Sequence, residues 1–430
     1  MLKDKNIYLI PCLGFLSVIL VGWIVLMMPI CNNGGITPFD ALFTAVSATC
    51  VNGLTTVNLS TEYSFLGQIA IAIITEIGAI GFVTFISFIL NFKKKKMSLS
   101  ETLLLSSALN DNNYGKLKQR LREVIKYTII IQIIGATLLA IDFIPRFGMK
   151  NGIWYSIFHS ITAFCNAGFD IIGDNSLVMF SKNIYINIVF IALMFLGSIG
   201  YFVIEDIISC IKKNSFLHIS FHTKIVLTAS IIIYLVSIVL LKIAEPNLSL
   251  LEAVFTSVTA RTTGFSTIDM SSTLPITKFI ISFLMIIGGA PGSTSGGIRI
   301  TSIAILALTV RATLRNKKDV IVYYKKIDLQ TIRQAITNIV ICVMLVLISM
   351  FIMEKVQVMR LDNNLFMCAS AFSATGLSVT NVAEMNFASK AILTALMYIG
   401  RVGPISILSI LIFKKKENKN IEYVSGNVML

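Results

Sequence analysis

Charged side chains are scarce in this chain. Only 13% of its 430 residues are Asp, Glu, Lys or Arg, against 55% that are hydrophobic, and the mean hydropathy is +0.82. A water-soluble globule of this size cannot cover its surface with so little charge, so the chain reads as a polytopic membrane protein. Histidine is rarer still: His159, His218 and His222 are too few and too scattered for a metal site. The seven cysteines form no CxxC pair and no ligand spacing, and several lie in apolar stretches, so no disulfide framework is indicated. No GK[ST] ending follows a glycine-rich segment, which excludes a P-loop. No GxSG is present, and no polar constellation suggests catalysis. The segment Pro29–Gly67 contains no Lys or Arg at all.

What is present is apolar and periodic. Eight stretches approach the roughly 20 residues needed to cross hydrocarbon: Ile7–Met28, Gln68–Phe92, Glu123–Ile144, Ile184–Ile211, Lys224–Ile243, Thr277–Thr309, Ile332–Met353 and Ala388–Phe413. The first is too long for a cleavable signal and has no small-residue cleavage site, so it is expected to remain a span. The net charge of +14 suggests nucleic acid only until its distribution is seen. Most Lys and Arg lie at the N-terminus, in the loops after the second, fourth and sixth spans, and at the C-terminus, which places those segments and both termini in the cytoplasm. The runs Lys93–Lys96, Arg311–Lys318 and Lys414–Lys416 read first as topogenic charge, with lipid or subunit docking as the alternative. The linker after the sixth span carries an amphipathic pattern, Val320, Ile321, Tyr324 and Ile327, suited to the membrane surface. The chain shows no soluble domain, so a nucleotide-binding sensor would be another polypeptide.

Four times, an aromatic-led apolar run ends in a short polar stretch closed by glycine: FTAVSATCVNGLTT, FHSITAFCNAGFD, FTSVTARTTGFST and FMCASAFSATGLSV. A second glycine cluster follows each one: Gly78/Gly81, Gly197/Gly200, Gly288/Gly289/Gly292 and Gly400/Gly403. A unit of apolar segment, short polar loop and apolar segment, repeated four times, is what a pore with approximate fourfold symmetry requires. The expected fold is all-α and membrane-integral, with four repeats of helix, re-entrant pore loop and helix. Their bounds are 1–96 (pore loop 38–56), 120–213 (153–170), 222–315 (250–267) and 330–416 (362–379), followed by a tail over 417–430. The run before each glycine is too short to span, so it enters the membrane and returns, with its carbonyl end favouring cations at the bilayer middle.

The filter candidates are Val51, Asn52 and Gly53; Asn166, Ala167 and Gly168; Thr262, Thr263 and Gly264; and Ala374, Thr375 and Gly376. None of these twelve is acidic, which disfavours a carboxylate ring and favours carbonyl replacement of a monovalent ion's hydration shell. Glycine leaves the axis open and permits positive φ. The third loop is one residue shorter than the others, counted from Phe255.

The stretch 288–297, GGAPGSTSGG, interrupts the sixth span. Five glycines and Pro291 cannot continue a helix, so Gly288, Gly289, Gly292, Ser293, Ser295, Gly296 and Gly297 form a loop at membrane depth, facing protein or water below the filter. With no bulky side chains, it is expected to be held by weak polar contacts. Arg401, between Gly400 and Gly403, is an intramembrane charge and therefore a functional candidate, a barrier to cations below the filter. Glu76 is either its partner across repeats or a separately hydrogen-bonded structural residue.

These segments, with GGAPGSTSGGIR and YIGRVGP, resemble the Trk/Ktr/HKT superfamily of cation transporters over nearly the whole chain. The eight-span length is most similar to the membrane subunit of a Ktr-type potassium uptake system. The resemblance implies a gating role for 288–297 and Arg401, a homodimer in the cell's plasma membrane, and a cytoplasmic nucleotide-binding regulatory ring. It implies no cofactor, with potassium as substrate at the filter residues. Potassium-selective members carry glycine at all four filter positions, whereas many sodium-preferring plant relatives carry serine in the first; here it is Gly53. A sodium-selective or sodium-coupled transporter of the same fold is the alternative, and a membrane enzyme or scaffold the remote one.

Overall fold

The computed structural model describes residues 2–81, 117–173, 176–213 and 219–404. The second half of the second span, the run Lys93–Lys96, the end of the eighth span and the tail lie outside these residues.

The chain is helical, and the same three-part unit recurs. An outer helix leads: Leu2–Met27, the first part of Leu117–Cys165, Phe221–Ala244 and Leu329–Val356. Four helical segments among the described residues are long and apolar enough to cross a membrane, one in each of these helices. Their exposed faces are apolar, with Leu20 and Ile24, Ile133 and Ile141, Ile232 and Leu235, and Ile348 and Phe351 all turned outward. The shorter pore helices are inverted in character: Thr44, Ser47 and Thr49 in the first, and Thr256, Ser257 and Thr259 in the third, are fully buried. Apolar outside and polar inside is the arrangement hydrocarbon imposes on a protein that encloses water.

The pore helices are Pro38–Cys50, a segment ending at Cys165, Leu250–Thr262 and Leu361–Ser373. Each start has a local cause. Thr37 accepts the amide of Asp40 ahead of Pro38, and Ser249 and Glu252 form a reciprocal capping box. In the second repeat the outer and pore helices run together except at Gly148, whose φ of 79° breaks them.

The inner helices, Phe65–Ile80, Ile184–Ser198, Pro275–Ile286 and Phe387–Val402, are all cut short. Three of the breaks fall at glycines with φ near 90°, at Gly81, Gly200 and Gly403. After Gly200 the chain resumes as helix Tyr201–Lys212, turned by 103°. That bent pair is a fifth candidate crossing. In the third repeat the loop 287–299 intervenes before helix Ile300–Leu314.

Each earlier glycine of the cluster has a separate task. A β-carbon on Gly78, Gly197 or Gly400 would come closer than 3.0 Å to the carbonyl oxygen of Thr49, Phe164 or Phe372 in the pore helix of its own repeat. The inner helix thus packs backbone to backbone against the pore helix, just above its own break.

The linker over 320–327, expected as an amphipathic surface segment, has a definite local form. It is a two-stranded hairpin, Ile321–Val322 with Lys325–Lys326, closed by Tyr323 and Tyr324 at positive φ. Val320 and Ile327, at its base, are buried with Ala312 and Ile332, while Ile321 and Tyr324 face outward. The buried positions are the two ends of the hairpin, where the Ile327 amide donates to the Val320 carbonyl at 3.0 Å.

The close approach makes a stability prediction. Gly400→Ala forces the inner helix off the Phe372 carbonyl and should cost about 1–3 kcal/mol, visible as a lower melting temperature in detergent. Gly173→Ala, where nothing lies within 4 Å of the new methyl, should leave the melt unchanged. Equal melts for the two variants would remove the packing role.

Candidate functional site

Pore helices in the first, second and fourth repeats end alike. Val51, Asn166 and Ala374 adopt left-handed backbone with φ of 60°, 63° and 55°, and two residues later Gly53, Gly168 and Gly376 again have positive φ. In the third repeat Thr263 has φ of −121°, and only Gly264 is positive. The residue missing from that loop is therefore the left-handed one, and Gly264 is reached directly.

The four glycines close a ring. A β-carbon on Gly53 would meet the carbonyl oxygen of Ala167; on Gly168, that of Thr263; on Gly264, that of Thr375; and on Gly376, that of Asn52, every one closer than 3.0 Å. Each glycine is seated on the carbonyl preceding the next repeat's glycine, and the fourth returns to the first. Any side chain at these positions would wedge the ring apart.

Side chains of the neighbouring residues bond sideways. Asn52 donates to the carbonyls of Ser370 and Ala371, both at 3.1 Å. Asn166 donates to Thr294 Oγ1 at 2.6 Å and accepts from Thr263 Oγ1 at 2.6 Å, while the hydroxyls of Ser373 and Thr375 pair at 2.7 Å. Val51, Ala167, Thr262 and Ala374 are buried completely, so of the twelve residues only the glycines keep partial exposure. They line the floor of a cavity of about 750 Å³ that is also lined by Thr55, Asp170, Ser266 and Ser378, each two residues past a ring glycine.

His159, which sequence spacing set aside, stands behind this wall. Its Nδ1 lies 2.7 Å from the Tyr155 carbonyl and its Nε2 2.8 Å from Asp170 Oδ1, in a cage that includes Phe143, Phe158 and Phe265. Asp170 also accepts the Ile172 amide at 2.8 Å. The one legible signal for Asp170 is its place two residues after Gly168.

Below the ring lies the stretch 288–297, and its attachment is stronger than the weak contacts expected. Three guanidinium groups donate to its backbone. Arg261 Nη2 reaches the Gly288 carbonyl at 3.1 Å, Arg299 Nη1 the Ser295 carbonyl at 2.8 Å, and Arg401 Nη1 the Thr294 carbonyl. Charge-assisted bonds of this kind are roughly twice as strong as neutral ones. Ser293 and Ser295 serve the loop itself: their hydroxyls pair at 2.8 Å, and Ser295 accepts the Gly289 amide at 3.0 Å. The Ala290 amide donates to Ser198 and the Gly292 carbonyl accepts from Tyr201, which ties the loop to the break at Gly200. Gly288 bonds Ile298, and a β-carbon on it would strike the Gly296 carbonyl, while Gly296 and Gly297 lie against Ser373.

Arg401 does not pair with Glu76. Its Nη2 donates to the carbonyls of Gly78 at 2.6 Å and Ala79 at 3.2 Å, whereas Glu76 Oε2 receives Gln132 Nε2 at 2.7 Å and the Cys165 thiol at 3.1 Å. The reason is local. The break at Gly81 leaves the last carbonyls of helix Phe65–Ile80 without intrahelical partners, and a nearby guanidinium caps them. Arg261 is a buried cation that spacing alone did not single out. It is 1% exposed, lies 4.5 Å over the Tyr234 ring, and its Nε and Nη1 find no hydrogen-bond partner among the described residues.

Comparison with known proteins agrees with this architecture. The model of the family described as TrkH, cation transport protein, matches residues 31–423. The potassium/sodium uptake protein NtpJ of Enterococcus hirae is 33% identical, covering 97% of this chain and 95% of its own. The Ktr system potassium uptake protein B of Bacillus subtilis is 32% identical over the same shares of each chain. The crystal structure of the potassium transporter TrkH from Vibrio parahaemolyticus superposes with a TM-score of 0.74 over 95% of this chain and 85% of its own, at 17% identity, a likeness of fold. The chain therefore belongs to the TrkH family of cation transport proteins, membrane transporters and not enzymes.

Proposed function

We propose that this chain takes up potassium through the glycine ring, with the 288–297 loop as the gate beneath it. The observation that carries the reading is the cyclic seating of Gly53, Gly168, Gly264 and Gly376 on one another's preceding carbonyls. A ring bounded by backbone, opening on a cavity that Thr55, Asp170, Ser266 and Ser378 help to line, suits an ion that exchanges its hydration water for carbonyl oxygen. The Bacillus subtilis relative, Ktr system potassium uptake protein B, favours the same ion. Sodium coupling is the second reading, favoured by the Enterococcus hirae relative, a potassium/sodium uptake protein.

In this reading the four inner helices, broken as they are, make four further crossings, for eight spans in all, with the basic loops and both termini in the cytoplasm. The chain works in the plasma membrane as a homodimer on a nucleotide-binding ring, as the resemblance to Ktr systems implies. Gly288, Gly289, Gly292, Gly296 and Gly297 let the gate fold without side-chain bulk, and Arg261, Arg299 and Arg401 hold its carbonyls. Arg401 has a second effect, because its charge repels the ion leaving the filter. At about 7 Å and an effective dielectric near 20, one unit charge imposes roughly 2 kcal/mol.

Two experiments in proteoliposomes test these parts separately. Gly53→Ser brings a β-carbon onto the Ala167 carbonyl and should lower the preference for rubidium over sodium about tenfold, a loss of about 1.4 kcal/mol of discrimination. Unchanged discrimination would sink the filter assignment, and varying sodium in the same rubidium uptake assay tells coupling from simple conduction. Arg401→Ala removes both the charge and a loop anchor, and should raise rubidium flux by more than about tenfold with ion preference intact. Deleting 290–295 should raise flux as well. If both variants insert normally and conduct no faster than the parent, the loop is not the gate.

A further inference from the structure

The hairpin over 320–327 serves neither the ring nor the gate, and its tip is costly. Tyr323 and Tyr324 both have positive φ, at 47° and 61°, in a two-residue turn for which Asn and Gly are the usual occupants. Tyr324 is fully exposed, so packing within the chain does not offset the strain there. The position of the tip is informative. The Tyr323 hydroxyl lies 3.4 Å from Thr228 Oγ1, and Lys224 Nζ sits 6.0 Å from the Tyr323 ring centre. Thr228 is about 10 Å along helix Phe221–Ala244 from its start. The hairpin therefore folds back beside a membrane-crossing helix, level with its second turn and just short of its exposed apolar residues Ile231 and Ile232. Exposed basic residues surround it, Arg311, Arg315, Lys317, Lys318 and Lys325, against Asp319 and Asp328, and Asp319 is already engaged by Lys326 at 2.7 Å.

We propose that this tip docks onto anionic lipid headgroups at the basic end of the helices, with Tyr324 at the headgroup level and Lys317, Lys318 and Lys325 on the phosphates. Amphipathic rings flanked by snorkelling lysines are the combination that the membrane interface selects. A lipid is favoured over a protein partner by direction, since the tip lies along the side of a crossing helix instead of projecting beyond its end. The inference does not depend on the ion carried.

The test uses the full chain with Tyr324→Cys carrying a spin label; the seven native cysteines are all buried, and unmutated protein controls for their labelling. In vesicles containing phosphatidylglycerol the label should be accessible to oxygen and shielded from a water-soluble nickel chelate. In phosphatidylcholine alone, or with Lys317, Lys318 and Lys325 all changed to Ser, the shielding should be lost. Native mass spectrometry should show about fivefold less co-purified phosphatidylglycerol for each lysine removed. A label equally open to nickel in both lipids overturns the proposal, as does shielding that is the same with and without phosphatidylglycerol. Shielding that appears only when a cytoplasmic nucleotide-binding subunit is added assigns the tip to a protein instead.

Discussion

Backbone that leaves its hydrogen bonds unmade at the depth of a bilayer is stable only where protein or water surrounds it. The rest of this molecule follows from meeting that condition four times. Each pore helix stops in the interior, and in the first three repeats a following polar side chain, that of Asn52, Asn166 or Thr263, turns sideways onto a neighbouring repeat. The inner helices stop there as well, and carbonyls they free are taken up elsewhere, by Arg401 at Gly78 and Ala79 in the first repeat and by the Thr294 and Ala290 amides at Gly197 and Ser198 in the second. Glycine recurs because two backbones must touch at these places, and a methyl group is already too large.

The third quarter is the exception, and its departures belong together. The loop after its pore helix lacks the left-handed residue, that helix carries the buried Arg261 at the penultimate position, and its inner helix is split by the 288–297 loop. Arg261 spans these features, since it sits one residue before Thr262 and donates to Gly288. A buried guanidinium with one acceptor and an aromatic face is tolerable where it fastens a segment that has few other ways to be fastened.

The repeats, the ring glycines, the breaks and the loop were legible in the sequence because each needs a residue type that nothing else replaces. Gly81, Gly200 and Gly403 had to be glycine for φ, and Gly78, Gly197 and Gly400 for distance, so spacing alone exposed them. Contacts between repeats were not legible. Glu76 and Arg401 are opposite charges in nearly the same register, yet freed helix-end carbonyls outcompete the carboxylate, which Gln132 and Cys165 claim from the second repeat. The same holds for His159, whose partner is eleven residues ahead around a turn that only the folded loop defines. The 320–327 hairpin was hidden for another reason, because its turn is Tyr323-Tyr324 and lacks the Asn or Gly that marks a two-residue hairpin turn.

The four glycine-closed loops are encoded by one chain. In a channel assembled from four identical subunits, a single codon change alters every quarter of the constriction at once, and intermediate states are out of reach. Here Gly53, Gly168, Gly264 and Gly376 are separate codons. Mutation can therefore alter one quarter at a time, and although a side chain at any ring glycine would press on the next repeat's carbonyl, the residues beside the glycines are freer: the third quarter lacks the left-handed residue that the other three keep.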